Sequence, residues 1–215
     1  MALECTHIRF SVDIKDKFNV KNLKKYIAGT IYPDSRYVTG IDRNLTHDDN
    51  FFKQTFYKDD DFKKGWAVHL ICDDIERLII KKTFPELLDK PELDKTEIWI
   101  IRAAIKILQD INDFNEFNIQ NYLKYLEYTE TPNNESLDQM KKYNQIFIDM
   151  YKDKEEITIN DAYIMWEKLL ITEGLAIKVK SKAEELKEND EYMKKIRGIY
   201  NKMLSYFNNS KFKPT

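Results

Sequence analysis

Histidine is almost missing from this chain of 215 residues: His7, His47 and His69 are all it has, and none follows position 69. Glycine and proline are scarce too, five of each. So little turn chemistry argues for a mostly α protein with short connections and leaves no glycine-rich phosphate loop. Two cysteines, Cys5 and Cys72, are too few for a disulfide framework and suit a reducing compartment. Cys72 reads as a small buried apolar residue. No segment has the 18 or so consecutive apolar residues of a membrane span, and residues 1–10 lack the basic and apolar stretches of a secretory signal. The expectation is a cytoplasmic protein. Basic residues do not predominate, because Lys and Arg total 35 against 37 Asp and Glu, a net charge of −2. With both signs interspersed, nothing suggests a general nucleic-acid-binding surface or a polybasic membrane anchor.

What the chain does have is helical patterning, with 33% charged residues and Leu, Ile, Lys and Glu at helical spacing. Residues 6–14 alternate apolar and polar, which by itself suggests a short strand, although Thr6 could equally cap a first helix. A basic amphipathic helix is expected over 20–28, stopping at Gly29. Thr30 to Asp49 carries Pro33, Gly40 and several Asp and Asn, and reads as a long loop that Tyr32, Tyr37, Ile41 and Leu45 would order. Helices follow at 62–84 before Pro85, from Asp94 to about Asn112, near 117–128, at 136–152, 160–187 and 190–207. The expected architecture is all-α: one domain over 1–215, a multi-helix bundle with a long ordered loop near the N-terminus.

One helix carries chemistry. Over Lys64 to Lys81 both faces are substantially apolar, so the helix should lie between others, yet one side holds Trp66, His69, Leu70, Asp73, Arg77 and Ile80. His69 and Asp73, four residues apart, share a face, and an inward carboxylate needs a cation or a hydrogen-bonding partner. Imidazole and carboxylate together are the ligands of hydrolytic zinc sites. Asp34, His47, His69 and Asp73 would give a divalent ion a mixed nitrogen and oxygen shell, and Asp73 could bridge to a second ion held by His7. No Cys-x-x-Cys pair or serine nucleophile motif competes.

Four pieces stand in order: Thr6-His7-Ile8-Arg9-Phe10, then Gly29 through Pro33-Asp34, then Thr46-His47, then Gly65 followed by His69 and Asp73. In this order and spacing the first 80 residues or so resemble the all-helical zinc-dependent phospholipase C and P1-nuclease superfamily, in particular its short bacterial phospholipase-C-like members. The resemblance implies that His7 begins a helix rather than a strand. It also implies that His69 and Asp73 face a metal cluster between helices, with His7, Asp34, His47, His69 and Asp73 as ligands to zinc or a similar ion. Family members also use their processed N-terminal residue and further downstream histidines. This chain has none of the latter, so one or two ions are expected, with Asp48, Glu76 and Glu173 as acidic residues that could add a ligand. The implied activity is hydrolysis of a small phosphoester by a metal-activated water, with Asp34 and Asp73 as catalytic carboxylates. Arg36, Arg43 or Arg77 would hold the substrate phosphate, since a guanidinium matches it bidentately.

Two other readings fit parts of the pattern. His47-Asp48 could be the adjacent ligand pair of an HD-type metal-dependent phosphohydrolase, which leaves the His69 and Asp73 spacing unexplained. Alternatively the chain is a non-catalytic helical interaction domain retaining a vestigial metal site, its aromatic surface supplied by 13 Tyr and 12 Phe.

Overall fold

A computed structural model describes residues 3–48, 60–169 and 171–210. Asp49, at the end of the expected loop, and Leu170, inside an expected helix, lie outside them. Among the described residues the secondary structure is entirely helical. The first helix, α1, is Glu4–Ile14. The alternation that suggested a strand belongs to a helix buried on nearly every side, from Glu4 through Ser11, with Arg9 only half-buried. Where every face is covered, apolar spacing no longer reports the helical period. Thr6 is not the cap but sits in the first turn, where its backbone N–H donates to Asp110 (2.8 Å) and its hydroxyl to Asp113 (2.7 Å). Those carboxylates satisfy donors that a helix start leaves free.

Helix α2 (Leu23–Ile31) is capped by Asn22 and runs straight through Gly29. It packs against the central helix α5 (Asp61–Thr83) more extensively than any other pair of elements. Glycine makes this possible. A Cβ on Gly29 would lie 2.0 Å from the Phe62 carbonyl oxygen, and one on Gly65 would lie 1.9 Å from the Tyr26 carbonyl oxygen. The two backbones therefore touch at reciprocal glycines, and Gly29 is a contact point rather than a helix stop.

The expected loop after α2 is ordered, and it is built from helical turns: a 3-10 turn Tyr32–Ser35, α3 (Arg36–Thr39) and α4 (Arg43–Thr46). Gly40 terminates α3 at φ 73°, a conformation that suits glycine. Helix α5 begins on the Asp60 cap and ends before Pro85, which opens the one-turn α6 (Pro85–Leu88). An Asp94 and Glu97 capping box starts α7 (Lys95–Glu116). Then come α8 (Gln120–Leu123), α9 (Leu137–Tyr151), α10 (Ile159–Lys168), α11 (Glu173–Lys187), α12 (Asp190–Arg197) and α13 (Ile199–Asn209). The expected helices 160–187 and 190–207 are each broken, the first between Lys168 and Glu173 and the second at Gly198. A large core joins α1, α5, α7 and α13, and a smaller cluster of Ala28, Tyr32, Phe62, Trp66, Leu70 and Met140 has Ile41, from between α3 and α4, packed against it.

Candidate metal centre

His69 lies on α5 one turn beyond Gly65, and the close crossing of α2 and α5 brings the Thr30 carbonyl oxygen to 2.8 Å from its Nδ1. That bond places the ring proton on Nδ1 and leaves the Nε2 lone pair free for a ligand, the arrangement by which outer residues orient metal-binding histidines. Nε2 stands 3.9 Å from Asp34 Oδ2 and 3.9 Å from Asp73 Oδ2. Asp34 sits in the 3-10 turn that continues α2, so the helix holding Thr30 also delivers this carboxylate.

His47 follows α4, and its Nε2 is 3.7 Å from Asp34 Oδ1. The Thr46 hydroxyl, donating to the Arg43 carbonyl at 3.3 Å, accepts from His47 Nδ1 at 2.8 Å, which again turns Nε2 inward. Trp66, three residues before His69, donates its indole N–H to the Thr46 carbonyl at 2.7 Å and fixes this turn against α5. His7, on α1, stacks on His69 with ring centroids 4.0 Å apart, and its Nε2 is 3.9 Å from Asp73 Oδ1.

These groups are buried, yet many lack partners. Neither nitrogen of His7, neither oxygen of Asp34 nor Nε2 of His69 makes a hydrogen bond. Leaving buried polar atoms unpaired costs about 1–3 kcal/mol each. Donor atoms of His7, Asp34 and His69, and of His47, His69 and Asp73, lie within 4.8 Å of one another. Bonds of about 2.0–2.1 Å to a tetrahedral zinc put ligand atoms about 3.3 Å apart, so spacings of 3.7 and 3.9 Å need only a slight contraction. The donor set fits a zinc-like divalent cation.

Protonation suits the same role. Burial, reinforced by the neighbouring His69 ring, pushes His7 well below the ordinary histidine range and His47 down to about 3. Burial lowers His69 as well, against the pull of Asp34 and Asp73. All three imidazoles are therefore neutral near pH 7, as ligands must be. Burial alone would raise Asp73, but the Lys106 ammonium, 3.1 Å from Oδ1, holds it well below the usual carboxylate range.

Of the residues singled out from sequence, His7, Asp34, His47, His69 and Asp73 come together. Arg36, Arg43 and Arg77 all line a cleft of about 390 Å³ that opens onto Asp34, His47 and Asp73. Arg77 is 61% exposed and pairs with Asp74 at 2.5 Å, whereas Arg36 stacks on the Tyr37 ring. Asp48 and Glu173 are exposed and belong to neither ligand group, and Glu76 is taken by Lys106 at 2.5 Å. Sequence reasoning missed Thr30, Lys106, Arg102 and Glu4. Thr30 acts through its backbone, which no residue pattern reports. Lys106 and Arg102 had a visible signal, since they stand one turn apart in an Ile- and Ala-rich helix. Glu4 is buried beside the site, raised well above the carboxylate range by burial and by Asp34, and bonded to the Tyr143 hydroxyl (2.9 Å). Cys5 and Cys72 are both free and buried, and no helix among the described residues is long and apolar enough to cross a membrane. No family model, curated protein or solved structure matches the chain.

Proposed function

We propose that this protein is a metal-dependent phosphoesterase acting on a small phosphoester, with Asp34, His47, His69 and Asp73 as the ligands of one divalent cation, zinc by the chemistry of the donors. The supporting observation is two groups of imidazole and carboxylate ligand atoms that share His69, one of His7, Asp34 and His69 and one of His47, His69 and Asp73, with the buried atoms of His7, Asp34 and His69 Nε2 unpartnered, beside an arginine-lined cleft. Held by those residues, a divalent ion would supply an activated water, its pKa lowered to about 7, and positive charge for the phosphoryl oxygens.

The remaining work falls to the chain. Lys106 keeps Asp73 ionised and fixed in place. Asp73 Oδ1 faces both His7 Nε2 and the Lys106 ammonium. The Lys106 ammonium already bonds Asp73 Oδ1, the oxygen that a second cation beside His7 would need, so the proposal keeps to a single ion. Arg36, Arg43 and Arg77 would hold the phosphate. Kinship with the zinc-dependent phospholipase C and P1-nuclease superfamily would account for the order of the ligands along the chain, and it stands as part of the proposal. Asp48 is exposed and outside the ligand groups, which speaks against an HD-type pairing with His47.

The test is hydrolysis of 4-nitrophenyl and bis(4-nitrophenyl) phosphate by zinc-loaded protein. A chelator should abolish turnover and zinc restore it. His69→Ala and Asp73→Ala should each lose at least about 100-fold with helical content retained, and His47→Ala should be far more harmful than Asp48→Ala. Turnover that survives the chelator and both ligand substitutions would refute the proposal, and equal losses at positions 47 and 48 would favour the HD-type alternative.

A further inference from the structure

Lys106 and Arg77, two of the cations around the cleft, are matched by Glu76 and Asp74. Arg36 has Asp34 at 3.9 Å as its carboxylate, but Asp34 belongs to the metal centre. Arg43 and Arg102 have no carboxylate within ion-pair distance among the described residues, and the Nε atoms of Arg36 and Arg102 are buried without a hydrogen-bond acceptor. A divalent ion would balance the formal charges of Asp34 and Asp73. Arg36, Arg43 and Arg102 would then remain as unneutralised positive charge around the cleft of a chain whose net charge is −2. Arg43 is exposed, but Arg36 and Arg102 are partly buried, and there a local surplus is costly unless an anion fills it.

Helix α7 presents Trp99, Arg102, Ala103 and Lys106 to this cleft, spaced as one helical face, opposite Asp73 and Arg77 on α5. Trp99 and Trp166 lie with centroids 5.8 Å apart and form an apolar wall, and the buried Trp166 indole N–H also lacks an acceptor. The cleft thus pairs donors for an anion with a surface for an organic group.

We propose that the cleft selects a phosphomonoester, a phosphate dianion, over a phosphodiester, with Arg102 as a specificity-determining residue that bonds the phosphate. This rests on the metal-dependent phosphoesterase reading and narrows its substrate class. Near pH 7 a phosphomonoester carries a charge of about −1.5 to −2, while a diester carries a single one. A diester bearing a cationic head group would place that cation among the arginines. In the reaction, a water oxygen bonds to phosphorus as the ester P–O bond breaks. The departing alkoxide takes one proton of the water, and the other proton stays with the inorganic phosphate released.

The experiment is rapid mixing of zinc-loaded protein with phenyl phosphate and with diphenyl phosphate, binding being read by the fluorescence of Trp99 and Trp166 in the cleft before phenol is released, for the wild type, Arg102→Gln and Arg43→Gln, with zinc content measured on each sample. Phenyl phosphate should bind at least about 10-fold more tightly than diphenyl phosphate. Arg102→Gln should weaken phenyl phosphate by about 10- to 100-fold and diphenyl phosphate by much less, with zinc content unchanged, as expected for a lost charge-assisted hydrogen bond. Arg43→Gln should act in the same direction. Zinc bound with equal affinity for the two esters, or an Arg102→Gln variant that loses both equally, overturns the monoester assignment and leaves the metal centre standing. Protein that takes up no zinc overturns the metal-centre reading, and this inference falls with it.

Discussion

Trp66 is not one of the candidate ligands, yet its indole N–H bears on where His47 stands. Its indole N–H holds the Thr46 carbonyl at 2.7 Å, and the neighbouring His47 depends on that turn for its position. Trp66→Phe keeps most of the buried area but strands the carbonyl. We expect a loss of about 1–3 kcal/mol in urea denaturation and at least about a 10-fold loss in zinc affinity by competition with a chromophoric chelator. Unchanged zinc affinity would show that His47 is placed by other contacts. Lys106 is a second such residue. Removing its ammonium in Lys106→Met leaves Glu76, fully buried, without its cation, and a lone buried charge costs about 3–5 kcal/mol. Burial already raises Glu76, so part of that loss should be recovered at acid pH as the carboxyl takes a proton. A variant as stable as the wild type across the pH range would contradict the pairing.

The crossing of α2 and α5 is the element on which the site depends, because it sets Thr30 against His69. Gly65→Ala would drive a Cβ into the Tyr26 backbone, and backbone cannot swing aside as a flexible side chain does. We expect a loss of about 3 kcal/mol or more, at or beyond the upper end for overpacking, and weakened zinc binding in whatever fraction folds. Gly174→Ala is the control: nothing lies within 4 Å of its added Cβ in α11, so it should be neutral or stabilise by up to about 1 kcal/mol. Thermal unfolding of both variants separates a packing role from mere helix propensity.

Sequence reading succeeded for elements whose ends are written in local chemistry, such as the Asp94 cap and the stop before Pro85. Local pattern alone left α1 open between strand and helix, because burial on nearly all sides erases the helical period, and only the family resemblance implied the helix that is there; it failed at Gly29, where glycine serves packing rather than termination. The break after Lys168 carries no glycine or proline. The turns at 32–46 are held by tertiary bonds such as that from Trp66, so no local pattern specifies them. The residues of the candidate site were legible as a group because a shared helix face and a short list of histidines limit what can meet. Arg102 was harder to find, since its importance comes from lacking a partner in space.

At the scale of the whole molecule, pH should reveal the cost of burying the candidate site's imidazoles. The folded-state pKa of His47 is depressed to about 3 by burial, while in the unfolded chain a histidine titrates near about 6.5. Between those values the unfolded state binds the extra proton, so this residue's stabilising contribution is present above about pH 6.5 and is lost as the pH falls. In metal-free protein, His47→Gln should flatten the acid side of the stability curve by up to about 1.4 kcal/mol per pH unit relative to wild type. Parallel curves from urea denaturation at several pH values would contradict the buried neutral imidazole.

The most direct test of the metal centre is zinc-edge X-ray absorption, with elemental analysis, on protein loaded with zinc and dialysed exhaustively. The account predicts about one zinc per chain in a shell of nitrogen and oxygen only, at about 2.0–2.1 Å, with outer-shell imidazole scattering that diminishes in His69→Gln. No retained zinc, or a sulfur shell near about 2.3 Å, would contradict it.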